Sequence, residues 1–449
     1  MAMGRRRGRQ QEMWVATTDL PKSEGHVFYR KLNEILAEAE FDRWVEEACQ
    51  PYYDDHMGRP SIPPGVYFRM LLVGYFEGIG SQRGIAWRCA DSLSLRAFLG
   101  IPLIESTPDH SSLTKVRNRL PLELHLAVFQ WVLKVAAQKG LLRGKTVAVD
   151  ATTLEANAAM KTIVRRDTGE DWNEYLRRLM REQEGAENPT EEELRRFDRR
   201  REDKRVSNDE WTSPTDPDSR IAKMKDGRTH LAYKAEHVVD VETELVLAAS
   251  IRHADEGDAD TLVDSVVEAQ TNLSEAKTDA QIEEVVADKG YHSTGTLELA
   301  DSLCFRTYIP ERKLKGKRKW KNVSAAGRRA FRNNRRRIRG ARSKRLQRLR
   351  SERAERSFAH ICDTGGARRS WLRGIEKVQK RYLVAAMARN LGLIVRKLFG
   401  IGTPRGLQGR GGISSLVCLT WIHTIGLLRC RVVVRSAHDG LSVLCATAA

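Results

Sequence analysis

Two short apolar runs in this chain each end in an aspartate: VAVD at 147–150 and VVAD at 285–288. Uniformly apolar runs of this length suit strands covered on both faces, which predicts Asp150 and Asp288 at strand ends. If the two strands are neighbours, their ends stand about 4.8 Å apart. That spacing lets two carboxylates share one divalent cation, or hold two ions roughly 3.5–4 Å apart. Hard cations such as Mg2+ take oxygen ligands, usually one or two protein carboxylates with water and substrate phosphates. A third acid from a helix would complete the set. Glu355 borders the helical apolar stripe Ala354, Phe358, Ile361 and Cys362, at the edge of a buried face. Glu352, one turn earlier on nearly the same face, is the alternative. Singly, an aspartate ending a strand is most often a turn or cap residue; the metal reading rests on the two strands and the helical glutamate together.

Holding these acids requires a sheet and at least one helix across it. From Lys145 the sequence reads β-β-β-α-β-α-β, then a basic segment, then two helices. This predicts an α/β domain over 140–400, a mixed sheet that opens with a hairpin and is flanked by helices. The charged stretch 161–220 has i,i+4 charge pairs and little apolar face, and reads as an exposed helical insertion. Residues 26–139 read as an all-helical domain. Within it, STPDHSSLTKVRNRL is a helix capped by Thr107 or Asp109 with Arg117 and Arg119 on its exposed face. Such a cluster of helices suits a helix-turn-helix-like DNA reader or, equally, a packing or multimerisation domain. A basic arm over 1–25 precedes it. The tail 401–449 is linker-like, then apolar, and reads as a docking element or as an extension acquired by read-through.

The charge distribution points to the partner. Residues 312–350 contain 19 Lys or Arg and no Asp or Glu, and taking them from the formal net charge of +18 leaves −1. One basic insertion, which includes Arg335, Arg336 and Arg337, thus carries the whole imbalance, and it suits contact with a phosphate backbone. Lys289 follows the second aspartate, and Arg368, Arg369 and Arg373 follow the Glu355 helix; all four are candidate phosphate contacts. Tyr291 and His292 are further candidates near the same loop. The acidic run HADEGDAD (His253, Asp255, Glu256, Asp258, Asp260) reads as a strand-to-helix loop that favours a helix N-terminus rather than as a metal cluster. The seven cysteines are scattered without a CxxC pair, against a zinc module or a disulfide framework and in keeping with a reduced, cytoplasmic setting. The basic start lacks the apolar core of a signal peptide. The longest apolar stretch, 413–428, falls short of a membrane span.

In order along the chain, VAVDATTLEANA, HLAYKAEHVVDVET, HADEGDADT, VVADKGYHS and RSERAERSFAHICDTGGARRSWLRGIEKVQKRYLVAAMARNLGL resemble the DDE transposases of bacterial insertion sequences. The upstream block, GRPSIPPGVYFRMLLVGYFEGI through STPDHSSLTKVRNRL, is similar to that family's N-terminal helical domain. The resemblance covers about residues 26–405. It implies an RNase H-like catalytic domain, with Asp150, Asp288 and Glu355 as the catalytic and metal-binding acids. It also implies two Mg2+ ions, which Mn2+ can replace, and double-stranded DNA partners: the element's terminal inverted repeats and the target. A homodimer or higher multimer in the bacterial nucleoid is expected. The implied reaction is hydrolysis at the element end, then attack of the freed 3′-hydroxyl on target DNA, without a Ser, Tyr or Cys nucleophile. Related proteins often place a basic residue seven positions after the glutamate; here that position is Cys362. Two other readings are a catalytically inactive DNA-binding derivative and an RNase H-like nuclease or resolvase.

Overall fold

The run around Asp150 becomes the central strand of a sheet. In the computed structural model, residues 26–408 are described except 55, 59, 203–205, 225–226 and 314–319, together with Ala16. The basic arm 1–25 (Ala16 apart), part of the basic insertion and the tail from 409 lie outside the described residues. The strands are β1 (Thr146–Glu155), β2 (Val164–Arg165), β3 (Trp211–Thr212), β4 (Arg220–Lys223), β5 (Thr229–Asp240), β6 (Val246–His253), β7 (Glu284–Val286) and β8 (Arg306–Tyr308). β1 is antiparallel to β5 on one side and parallel to β7 on the other, and β8 is parallel to β7. β4 and β6 share the far edge of β5, and β2 and β3 form a separate small pair. The sheet is mixed and opens with a hairpin, as expected.

One expectation is corrected. Asp150 does not end its strand, because the backbone beyond it finds a partner in β5, from Ala151↔Glu236 to Glu155↔Ala232. What stops near Asp150 is the parallel pairing, whose final register pair is Ala148↔Val286. Continuing that register by two residues sets Asp150 across from Asp288.

Among the described residues, seven α-helices precede the sheet: α1 (Val27–Glu38), α2 (Phe41–Cys49), α3 (Pro64–Glu77), α4 (Gln82–Ala90), α5 (Leu93–Leu99), α6 (His110–Arg119) and α7 (Leu122–Gln138). Asp109 caps α6 by accepting the Ser111 N–H at 2.8 Å. The insertion after β1 folds as α8 (Trp172–Glu184) and α9 (Glu191–Arg200), each opened by a capping box. They close on their own small cluster of Leu176, Met180, Leu194 and Phe197, which explains a helical insertion with so little apolar face. Then follow α10 (Asp258–Glu275), α11 (Thr294–Ser302), α12 (Ala325–Ile338), α13 (Ala341–Phe358), a π-helical turn (Ala359–Thr364) and α14 (Ile375–Phe399). From Gly402 a second unit begins, with α15 (Pro404–Gln408).

α14 joins the halves of the first unit. It packs on α3, α7 and β6, and its residues from Tyr382 to Val395 are buried. Asn390 exchanges two hydrogen bonds with the backbone of Val246, at 2.9 and 2.8 Å, and Gln379 donates to Ala249 O at 2.8 Å. These amides satisfy edge-strand groups that would otherwise invite another strand. One apolar core therefore runs from Phe28 in α1 through Val149 and Val285 to Val395 in α14. Among the described residues no single helix is long and apolar enough to cross a membrane.

Candidate active site

The two faces of the sheet are covered by different helices. Strand alternation turns Asp150 and His237 toward α13, and Glu236 toward α10. α13 crosses the sheet face: Arg342 pairs with Glu284 in β7 at 2.5 Å, and Arg350 reaches Asp150 in β1. Farther along, Ser357 meets His237 in β5 at 2.8 Å.

Asp150 has a side chain 29% exposed. Its Oδ1 accepts the Ala151 N–H at 3.0 Å, and its Oδ2 accepts Nη1 of Arg350 at 2.8 Å. Burial is the strongest influence on this carboxyl and pushes it above its ordinary range. Arg350 pulls the other way, and the negative charge of Asp288 adds to the rise. Two acids repelling one another at a half-open position are what a cation would relieve. Asp288 caps a single 3-10 turn (Lys289–Tyr291) through Oδ1 and the Gly290 N–H, 2.6 Å apart. A Cβ at Gly290 would meet Asp288 Oδ1 at 2.8 Å and Asp258 Oδ2 at 2.9 Å, so glycine there keeps both carboxylates in place.

The third acid is a matter of helix flank. On one flank of α13, Gln347 donates to Ala287 O at 3.1 Å and Tyr308 O at 2.7 Å, where β7 and β8 end. On the other, Arg353 and Arg356 both hold Glu244 in the turn between β5 and β6. At 3.6 residues per turn, Glu355 lies nearer the Gln347 flank and Glu352 nearer the arginine flank. Glu352 is clasped by Arg356 at 2.7 Å. Glu355 is exposed, and among the described residues its carboxylate has no hydrogen-bond or ion-pair partner. Nor do the described residues contain three His, Cys, Asp or Glu drawn together tightly enough to hold a metal ion. Each aspartate lies two residues beyond the last β1–β7 register pair, and the charge of Asp288 acts on Asp150, while Glu355 stands out on the helix flank. All three are oxygen donors of the kind a hard divalent cation takes.

The predicted DNA-contact residues fall into distinct environments. Lys289, Arg336 and Arg373 are exposed. Arg335 is bound to Glu311 through two bonds of 2.5 and 2.6 Å, and Arg337 donates to Thr307 O at 2.9 Å. Arg368 spans Asp363 and Thr152, the latter two residues beyond Asp150. Arg369 lies 3.7 Å from Glu155 and 5.0 Å from the Trp371 ring centre. Arg119 is exposed and stacks on Tyr53 at 4.8 Å. Arg117 departs from expectation: rather than lying on an exposed face, it is half-buried. It lines a cavity of about 560 Å3 between α3, α6 and α14, beside Tyr67, Tyr75, Trp371 and Arg381. Among the described residues its Nε has no hydrogen-bond partner. Burial, and after it the charge of Arg117, lowers the Arg381 pKa.

Tyr291 and His292 are buried. The Tyr291 hydroxyl donates to Glu236 at 2.7 Å, tying the loop after Asp288 to β5. Cys362 is buried 3.8 Å from the Tyr382 hydroxyl, so nothing at that position reaches solvent. In HADEGDAD, Asp258 pairs with Lys234 at 2.9 Å, Asp255 with Arg220 at 3.5 Å, and Glu256 accepts the His253 N–H at 3.0 Å. These are loop and helix-start contacts, as read from the sequence. Arg350 and Gln347 were not singled out by sequence: nothing distinguishes one arginine among 19 basic residues until the sheet selects the turn of helix that faces it.

Residues 17–119 match the family described as transposase domain (DUF772), and residues 144–391 match the family described as transposase DDE domain. No curated protein and no solved structure matches the chain.

Proposed function

The chain belongs to the DDE transposases, and from that premise we propose that it cuts the ends of an insertion sequence and joins them to target DNA, with Asp150, Asp288 and Glu355 as its catalytic acids. The family implies the RNase H-like fold, in keeping with the mixed sheet above. Transposases act on DNA, and DDE transposases generally use divalent metal ions.

The observation that supports the residue assignment is the β1–β7 register, whose continuation by two residues brings Asp150 and Asp288 opposite one another, with the charge of Asp288 felt at Asp150. The oxygen donors are of the kind divalent ions such as Mg2+ take, and Asp150, Asp288 and Glu355 are the residues that would hold them. Bound there, the ions supply water activation and stabilisation of the departing 3′ oxygen. The protein supplies position and charge. Exposed cations such as Lys289, Arg336 and Arg373 hold phosphates, and the Gly290 turn keeps Asp288 in line with Asp150. Glu355 is favoured over Glu352 because Glu352 is already engaged by Arg356 on the far flank. Its approach to the aspartates is assigned to the DNA-bound state, since catalytic contacts often tighten only in the substrate complex.

The test is cleavage of duplexes carrying the inverted repeats that flank the coding sequence, with Mg2+ and with Ca2+. Cutting is expected with Mg2+ and not with Ca2+. Asp288→Asn should bind the duplex but not cut it; undiminished cutting by that variant overturns the assignment.

A further inference from the structure

We propose that Arg350 is a positioning residue that competes with the divalent cation for Asp150, so that loading the site moves the guanidinium off the carboxylate and onto DNA phosphate. The inference rests on the reading of Asp150 as a metal ligand and extends it to a residue outside the trio.

The geometry is specific. The Arg350 side chain is 13% exposed, and each of its nitrogens is engaged: Nη1 with Asp150 Oδ2 at 2.8 Å, Nε with Gln347 Oε1 at 3.3 Å and Nη2 with Ser351 Oγ at 3.2 Å. Gln347 is itself fixed by the carbonyls of Ala287 and Tyr308. One side chain therefore holds Arg350 and, through Ala287, the residue before Asp288. Asp150 Oδ1 is already turned to the Ala151 N–H, which leaves Oδ2 as the oxygen both cations want.

A divalent ion binds a carboxylate oxygen at about 2.1 Å. With the guanidinium on the same oxygen, the two positive centres would stand roughly 4 Å apart in a half-buried site, where repulsion is poorly screened. An arginine cannot relieve this by losing its proton, so it must move. Its planar fork matches a phosphate in two-point geometry. Metal loading and DNA binding thereby become coupled, and coupling between two ligands is reciprocal. DNA that draws Arg350 away raises cation affinity, and cation binding frees Arg350 for DNA. Without DNA, the same contact keeps the site short of metal and restrains stray hydrolysis.

The experiment is Mn2+ binding to the full chain without DNA, followed by the paramagnetic resonance of free Mn2+. Arg350→Gln should bind Mn2+ about tenfold more tightly than the parent, within the usual range for coupled sites. Arg350→Met, which keeps bulk without charge, should show the same gain, and thermal unfolding verifies that both are folded. Unchanged or weaker Mn2+ binding in the folded variants overturns the proposal. Asp150→Asn separates this from a failure of the underlying reading: it should lose the binding, and parent-like affinity in that variant overturns the metal role of Asp150 itself.

Discussion

Two clusters of charge lie back to back on strands β1 and β5, and they differ in how completely they are paired. On the α10 face, the Glu236 side chain is wholly buried. It accepts Thr261 Oγ1 at 3.1 Å, Ser265 Oγ at 2.5 Å and Tyr291 OH at 2.7 Å, with Lys234 at 3.7 Å and Arg252 at 3.5 Å. On the α13 face, Asp150 is partly exposed, leans on one arginine and feels the charge of Asp288. A closed set of donors around a buried carboxylate leaves no coordination for a ligand and serves to hold strand, helix and loop together. An open, mutually repelling pair is unstable on its own and is satisfied by a cation from outside. The comparison teaches that acidic residues in this fold are sorted by how fully they are satisfied rather than by how acidic their neighbourhood is.

The contrast should break first at Glu236. Glu236→Ala strands Arg252 without its buried acid and leaves Lys234 with Asp258 as its one acid, and should cost about 3–5 kcal/mol of stability in urea unfolding. An unchanged midpoint would remove the structural half of the comparison. Glu355→Gln should lower strand cleavage on the order of a thousandfold, equivalent to about 4 kcal/mol, with little change in unfolding. Glu352→Gln should leave cleavage within a few-fold, losing only a surface pair worth under about 1 kcal/mol; the reverse ranking would transfer the third-acid role to Glu352.

Acid should act on the closed parts of the fold. His125 is fully buried, and burial lowers its pKa to about 4 from 6.5. Its contribution is thus present above pH 6.5 and lost as pH falls through about 4. This linkage amounts to about 3 kcal/mol and is readable as a declining unfolding free energy between pH 7 and pH 4. His237 shifts in the same direction for the same reason. Asp150 has the opposite sign, since its raised carboxyl favours the fold as pH drops. The smallest expected effect separates paired from unpaired arginines. Arg336→Ala should weaken duplex binding by about 1 kcal/mol and reduce the salt slope by about one. Arg335→Ala should do less, because Glu311 already neutralises that side chain. Equal losses would show that the Glu311 pair opens on DNA.

Much of the fold was legible because apolar periodicity and turn residues act locally. The strands through 147–149 and 285–286, the hairpin turn at residues 240–243, and the helix starting near Asp258 all appear where the pattern places them. The length of β1 was not legible, because only the partner strand β5 shows that residues after Asp150 stay extended. The burial of Arg117 was hidden similarly. A basic helix looks solvent-facing until Arg381 of α14 and Trp371 from the segment before it line the same cavity.

The sequence by itself determined the family, the order of elements, the concentration of positive charge in one insertion, and the two aspartates, since each of these is written in local residue types and spacing. Only the tertiary structure decided how those residues are used. It set the β1–β7 register that leads to the two aspartates, the flank of α13 on which Glu355 and Glu352 part company, and which arginine of α13 reaches Asp150. The reason is that pairing and burial depend on residues as far apart as Asp150 and Arg350. No pattern within either segment specifies which of many like-charged side chains will meet the other across a folded sheet.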